Sequence, residues 1–160
     1  MHVMGVAVLD PSGVEDFDFA RIRAHLTERL PLVPPFRQRL APVPFGLHYP
    51  VWVEDPNFDL DYHVHRAALP RPGGVTELAE FAAAVASRPL DRARPLWELH
   101  VVEGLEGDRL ALVTKIHHSA IDGVSGVDLI AHLFDLEPSP PPRLDLELAP
   151  AWEPDRIPKI

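Results

Sequence analysis

The chain has 160 residues, with 24 acidic against 15 basic side chains for a formal charge of −9, 19 prolines and no cysteine. That length suits one sizeable core, and the lack of any thiol excludes disulfide scaffolds, thiol nucleophiles, iron–sulfur clusters and thiolate zinc sites. The acidic balance, with no polybasic stretch, argues against nucleic acid or anionic lipid as partners and leaves neutral or apolar ones.

The opening Met1-His2-Val3-Met4-Gly5-Val6-Ala7-Val8-Leu9 reads as a strand already under way, ended by the turn Asp10-Pro11-Ser12-Gly13. It has neither the basic leader of a secretory signal nor an apolar run near the ~20 residues of a membrane span. Residues Phe17 to Leu30 carry Phe19, Ile22, Leu26 and Leu30 on one face, and Pro31 closes the segment, so an amphipathic helix is expected. The segment Pro31 to Pro50 holds six prolines, its two end residues included, interspersed with Phe36, Leu40, Phe45 and Tyr49. Such a segment can be neither a central strand nor a long helix, and is expected to wrap the surface with short edge pairings.

Val51 to Glu54 and Tyr62 to Ala67 have strand character. A period of two over Tyr62-His63-Val64-His65-Arg66 would put both histidines on one face, where two imidazoles can address one ion. No third ligand is evident nearby in sequence, and half-buried sheet histidines are common, so the metal reading is not favoured. Gly73-Gly74 makes a turn, and Thr76 is the expected cap of a helix running to Ala86, with Leu78, Phe81, Ala82 and Val85 as its apolar face. That helix must stop by Arg88, before Pro89.

The decapeptide Pro89-Leu90-Asp91-Arg92-Ala93-Arg94-Pro95-Leu96-Trp97-Glu98 reads as a loop pinned by Trp97, with Asp91 available to Arg92 or Arg94. It could equally wall an active site, with Arg94 bracing an aspartate such as Asp122 through its forked guanidinium. Glu98 to Glu103 and Arg109 to Ile116 are two strands of a hairpin, joined across Gly104 to Asp108. A helix is expected from Asp122 to Leu133, and from Glu137 the proline-rich run Pro138-Ser139-Pro140-Pro141-Pro142 opens a stiff linker. The organisation is thus a domain over residues 1–136 and a linker or crossing segment over 137–160.

The run His117-His118-Ser119-Ala120-Ile121-Asp122-Gly123-Val124-Ser125 sits where a strand turns towards a helix. Adjacent strand residues point to opposite faces, so one histidine can address a cleft while the other braces. A neutral imidazole with a free pKa near 6.5 suits proton removal from an alcohol or amine. Asp122 could hold the imidazole tautomer or stabilise the loop through a basic side chain; its position just before Gly123 favours the architectural role. No activated nucleophile is set up, which favours direct transfer. The divergent His117 and His118 with Asp122 make a poor metal site, and no nucleotide fingerprint is present.

Lys115 to Val124 resembles the His-His-x-x-x-Asp-Gly signature of the coenzyme A-dependent acyltransferase superfamily, which includes chloramphenicol acetyltransferase-like enzymes and peptide synthetase condensation domains. The decapeptide Pro89 to Glu98, the opening Met-His-Val and the segment Phe45-Gly46-Leu47-His48-Tyr49-Pro50-Val51-Trp52 together resemble the bacterial wax ester synthase/acyl-CoA:diacylglycerol acyltransferase family, over residues 1 to about 136. The resemblance implies an α/β chloramphenicol acetyltransferase-like N-terminal domain, a mixed sheet flanked by helices. It implies His118 as general base, His117 as auxiliary, Asp122 as structural or orienting, and Gly123 as required for the turn. It also makes Pro89, Asp91, Arg94, Pro95, Leu96, Trp97 and Glu98 the wall of the site.

Acyl-CoA is then a co-substrate, with diacylglycerol or a fatty alcohol as acceptor, and neither metal nor tightly bound cofactor is expected. Family members are longer and close the site with a second, C-terminal acyltransferase domain, so such a domain is an expected partner. A cytoplasmic location is expected, with peripheral contact to the inner membrane or lipid droplets. A condensation-type enzyme and a non-catalytic lipid- or partner-binding half-domain are the rival classes.

Overall fold

A computed structural model describes residues 1–121 together with 133 and 134. The expected helix over Asp122 to Leu133, apart from Leu133 itself, and the linker over 137–160 lie outside the described residues. The chain divides into two compact units, one of residues 1–24, 59–90 and 97–118, the other of residues 25–58, 91–96 and 119 onward.

The first unit is built on a four-stranded sheet of β1 (His2–Leu9), β4 (Val64–Ala68), β5 (Trp97–Glu103) and β6 (Leu110–His117), in the order β1-β6-β5-β4. β1 and β5 pair antiparallel to β6, whereas β4 pairs parallel to β5, so the sheet is mixed as expected. A parallel neighbour needs a crossover, and the helix α2 (Val75–Ser87) supplies it. Leu78, Phe81 and Ala82 of that helix pack with Leu69, Val102, Leu105, Ala111 and Val113. The face of the sheet carrying Val102 and Val113 is therefore the α2 face, and register places Met4, Lys115, Glu98, His100 and His65 on it. Trp97, Leu99 and Val101 point to the opposite face and are all buried.

The β5–β6 hairpin forms as expected, but its loop runs from Gly104 to Arg109, one residue longer than expected, and β5 begins one residue earlier than expected, at Trp97. Gly73 has φ +76, and a Cβ there would lie 2.0 Å from the carbonyl oxygen of Gly104. Only glycine lets these two turns approach so closely.

Two local expectations need correcting. The cap of α2 is Gly74, not Thr76: Glu77 turns back so that its carboxylate accepts the Gly74 N–H at 2.8 Å, half of a capping box without a hydroxyl. His63 and His65 do not share a face. His63 ends a 3-10 turn over Leu60–Tyr62 with φ −104 and ψ −26, so the alternation starts only at Val64. His63 lies 1% exposed, stacked on Trp97 with centroids 4.7 Å apart and its Nδ1 2.8 Å from the Trp97 carbonyl, whereas His65 faces His100 on the α2 side.

α1 (Phe19–Arg29) starts two residues after the expected Phe17, because the Asp18 carboxylate accepts the Arg21 N–H at 2.9 Å and caps it. Pro31 converts its end to a 3-10 turn over Leu30–Leu32. In the second unit the proline-rich segment forms further short turns and the two-stranded antiparallel pair β2 (Gln38–Ala41) and β3 (Val51–Glu54). Asp55, 4% exposed, holds it together by accepting the Asn57 N–H at 3.1 Å, with Arg39 Nε at 3.5 Å.

Candidate active site

β6 alternates cleanly, Leu110, Leu112, Thr114 and Ile116 on one face and Ala111, Val113, Lys115 and His117 on the other, and is hydrogen-bonded on both edges. A central strand of that kind is the most rigid delivery available to the residue at its end. His117 closes it, half-buried on the α2 face, with the His2 ring edge-on at 5.5 Å. Burial, then the positive charge of Lys115, pushes the His2 imidazole pKa down. His118 leaves the strand as the first residue of a 3-10 turn over His118–Ala120 and is exposed, its N–H donating to the Met1 carbonyl at 3.2 Å. The chain thus fixes the backbone of His118 while presenting its side chain outward. Asp122 and Gly123 lie outside the described residues.

Lys115, two residues before His117, is a feature of the strand that residue spacing did not reveal. It is fully buried, and its ammonium donates to the Val85 carbonyl at 2.7 Å, to the Arg88 carbonyl and to the Glu98 carboxylate at 3.2 Å. A cation at the C-terminal carbonyls of α2 satisfies groups the helix itself leaves unpaired and complements its dipole. Burial pushes the Glu98 carboxyl up, but His100 and Lys115 beside it outweigh that and hold it at about 2. The sequence hint was a lysine following Ala111 and Val113 on one face of the strand; its register opposite Glu98 came only with the structure.

The decapeptide is distributed between the units. Pro89 is exposed at the exit of α2, while Trp97 and Glu98 open β5, Trp97 being 4% exposed and stacked on His63. In the second unit Asp91 accepts the Ala93 N–H at 2.9 Å and stands 4.0 Å from Arg94 Nε, so the aspartate pairs within its own loop; Pro95 and Leu96 are buried.

A family model described as the wax ester synthase/diacylglycerol acyltransferase catalytic domain matches residues 1–157. The chain belongs to that family. Within the wax ester synthase/diacylglycerol acyltransferase family it is 46% identical over 158 residues to a Mycobacterium tuberculosis protein named as a diacylglycerol O-acyltransferase, covering 98% of this chain and 33% of that protein. A second such protein from M. tuberculosis is 45% identical over 131 residues, covering 82% of this chain and 47% of the relative. Among solved structures, the wax ester synthase/diacylglycerol acyltransferase of Marinobacter aquaeolei VT8 superposes with a TM-score of 0.68 at 42% identity, over 82% of this chain and 31% of that one. A starter condensation domain of rhizomide synthetase shares the fold alone, with a TM-score of 0.55 at 14% identity. The chain therefore spans between about a third and a half of the length of the relatives it matches.

Proposed function

We propose that this chain carries the histidine half of an O-acyltransferase that moves a long-chain acyl group from acyl-CoA to diacylglycerol or a long-chain alcohol. The observation that carries the reading is the placement of His118, exposed on the first turn after a doubly paired strand and tied by its own N–H to Met1. Its neutral imidazole takes the proton of the acceptor hydroxyl as the oxygen attacks the thioester carbonyl. Collapse of the tetrahedral intermediate expels the CoA thiolate, which regains that proton from the imidazolium. No covalent enzyme intermediate is needed, because the two substrates react directly. His117, turned to the α2 face beside His2, braces the strand end, and Asp122 orients or supports the loop that follows.

Oxyanion-stabilising donors and the rest of the CoA site belong, in this proposal, to a complementary C-terminal domain, as the one-third coverage of the first relative suggests. Phe45, Leu47 and Tyr49, 93%, 80% and 84% exposed, are apolar side chains that such a partner would cover. Among the described residues no helix is long and apolar enough to cross a membrane. Peripheral contact with a membrane or lipid droplet is part of the proposal.

The test is release of free CoA from palmitoyl-CoA with hexadecanol or dioleoylglycerol, product identified by mass, using this chain alone and together with the C-terminal segment of a full-length relative. Acceptor-dependent ester formed only in the combined sample is the expected result. No ester in either, with both parts folded, overturns the proposal and favours a condensation-type or binding role.

A further inference from the structure

The sheet brings His65 beside Glu98 and His100, which lie far along the chain from it. β4 and β5 run parallel with His65 opposite His100, and Glu98, two residues before His100, shares that face. One donor atom from each of His65, Glu98 and His100 lies within 4.8 Å of the other two, and the two imidazole rings are tilted by 35° with centroids 4.9 Å apart. His100 Nε2 is buried with no hydrogen-bond partner; the nearest Glu98 oxygen is 3.8 Å away, beyond a hydrogen bond. A buried ring nitrogen left without a partner calls for an explanation, and a bound ion supplies one. Phe81 stands edge-on to His100 at 5.5 Å and gives the cluster an apolar wall.

We propose that His65, Glu98 and His100 form a divalent-metal site, and that Zn2+ is the ion it fits. Two imidazole nitrogens and one carboxylate oxygen are a borderline donor set of the kind Zn2+ takes with a fourth position left to water. Zinc–ligand distances of about 2.0–2.2 Å require the donors to draw in by roughly an ångström, a movement of side-chain rotation on strands that stay in register. Lys115 engages Oε1 of Glu98 at 3.2 Å, the same oxygen that lies 3.8 Å from His100 Nε2, so the ion would take the second carboxylate oxygen, Oε2. The ion would tie the edge strand β4 to β5.

Co2+ is the probe, because its visible ligand-field bands report tetrahedral nitrogen and oxygen coordination; Zn2+ then displaces it. The full 160-residue chain should bind one equivalent of Co2+ and lose the bands on adding one equivalent of Zn2+. His65→Gln, a half-buried position on an edge strand, should weaken binding by about tenfold or more, and His100→Gln likewise. His118→Gln should leave the spectrum unchanged. Absence of the tetrahedral bands in the folded wild-type chain overturns the proposal. So does binding that survives His65→Gln with its affinity intact, or that vanishes with His118→Gln. Circular dichroism verifies each fold; should His100→Gln fail to fold, His65→Gln decides alone.

Discussion

Lys115→Met removes a fully buried ammonium while keeping most of its length and volume, so the loss is electrostatic and not a cavity. The ammonium meets two carbonyls at the end of α2, those of Val85 and Arg88, and the Glu98 carboxylate, whose side chain is 22% exposed. Hydrogen bonds to a charged group contribute about 1.5–3 kcal/mol each, offset by the several kcal/mol needed to desolvate the ammonium. Breaking a buried pair by removing one partner costs about 3–5 kcal/mol, because the other charge stays without its counter-ion. Water can reach Glu98, which puts the expected loss near the lower end, about 3 kcal/mol, or roughly a hundredfold in the folding equilibrium. Urea unfolding at pH 7 followed by far-ultraviolet circular dichroism measures it. A cycle with Glu98→Gln separates the ion pair from the carbonyl contacts, and about 1–2 kcal/mol of coupling is expected. A Lys115→Met chain within about 1 kcal/mol of wild type would refute the assignment of Lys115 as the cation that closes α2.

In the assembled acyltransferase, His118→Ala should lower acceptor-dependent CoA release by about a hundredfold or more with an unchanged circular dichroism spectrum; near-normal turnover would exclude His118 as the base. Because the folded Glu98 carboxyl is held at about 2 against an ordinary 4.5, its contribution to stability is complete above pH 4.5 and lost as the pH falls towards 2. The urea-midpoint gap between wild type and Glu98→Gln should accordingly narrow with acid below pH 4.5, and a gap that widens there contradicts the shift. Gly73→Ala, forced against the Gly104 carbonyl at φ +76, should cost about 2–4 kcal/mol. Gly13→Ala, at φ +86 with nothing within 4 Å, should cost only about 1–2 kcal/mol. Paired thermal melts of the two variants check the ranking.

The strand that ends in His117, the helix whose apolar face is Leu78 to Val85 and the hairpin across Gly104 to Asp108 are all legible in the sequence. Each rests on a local rule, a period of two, a period near 3.6 or a turn chemistry, that needs only a handful of neighbouring residues. The same rules failed at His63, where a 3-10 turn delays the strand, and at the start of α2, where a backbone N–H of Gly74 and the carboxylate of Glu77 do what a hydroxyl was expected to do.

By itself the sequence determined that the histidine pair stands at the end of a strand, that one of the two turns away from the other, and, through its resemblance, the family to which the chain belongs. Only the tertiary structure decided that Lys115 is buried against the end of α2, that His63 stacks on Trp97, and that His65 meets His100 and Glu98. The stacking of His63 on Trp97 and the meeting of His65 with His100 and Glu98 depend on the parallel register of β4 on β5. No periodicity within a short window records a partner that lies more than thirty residues away.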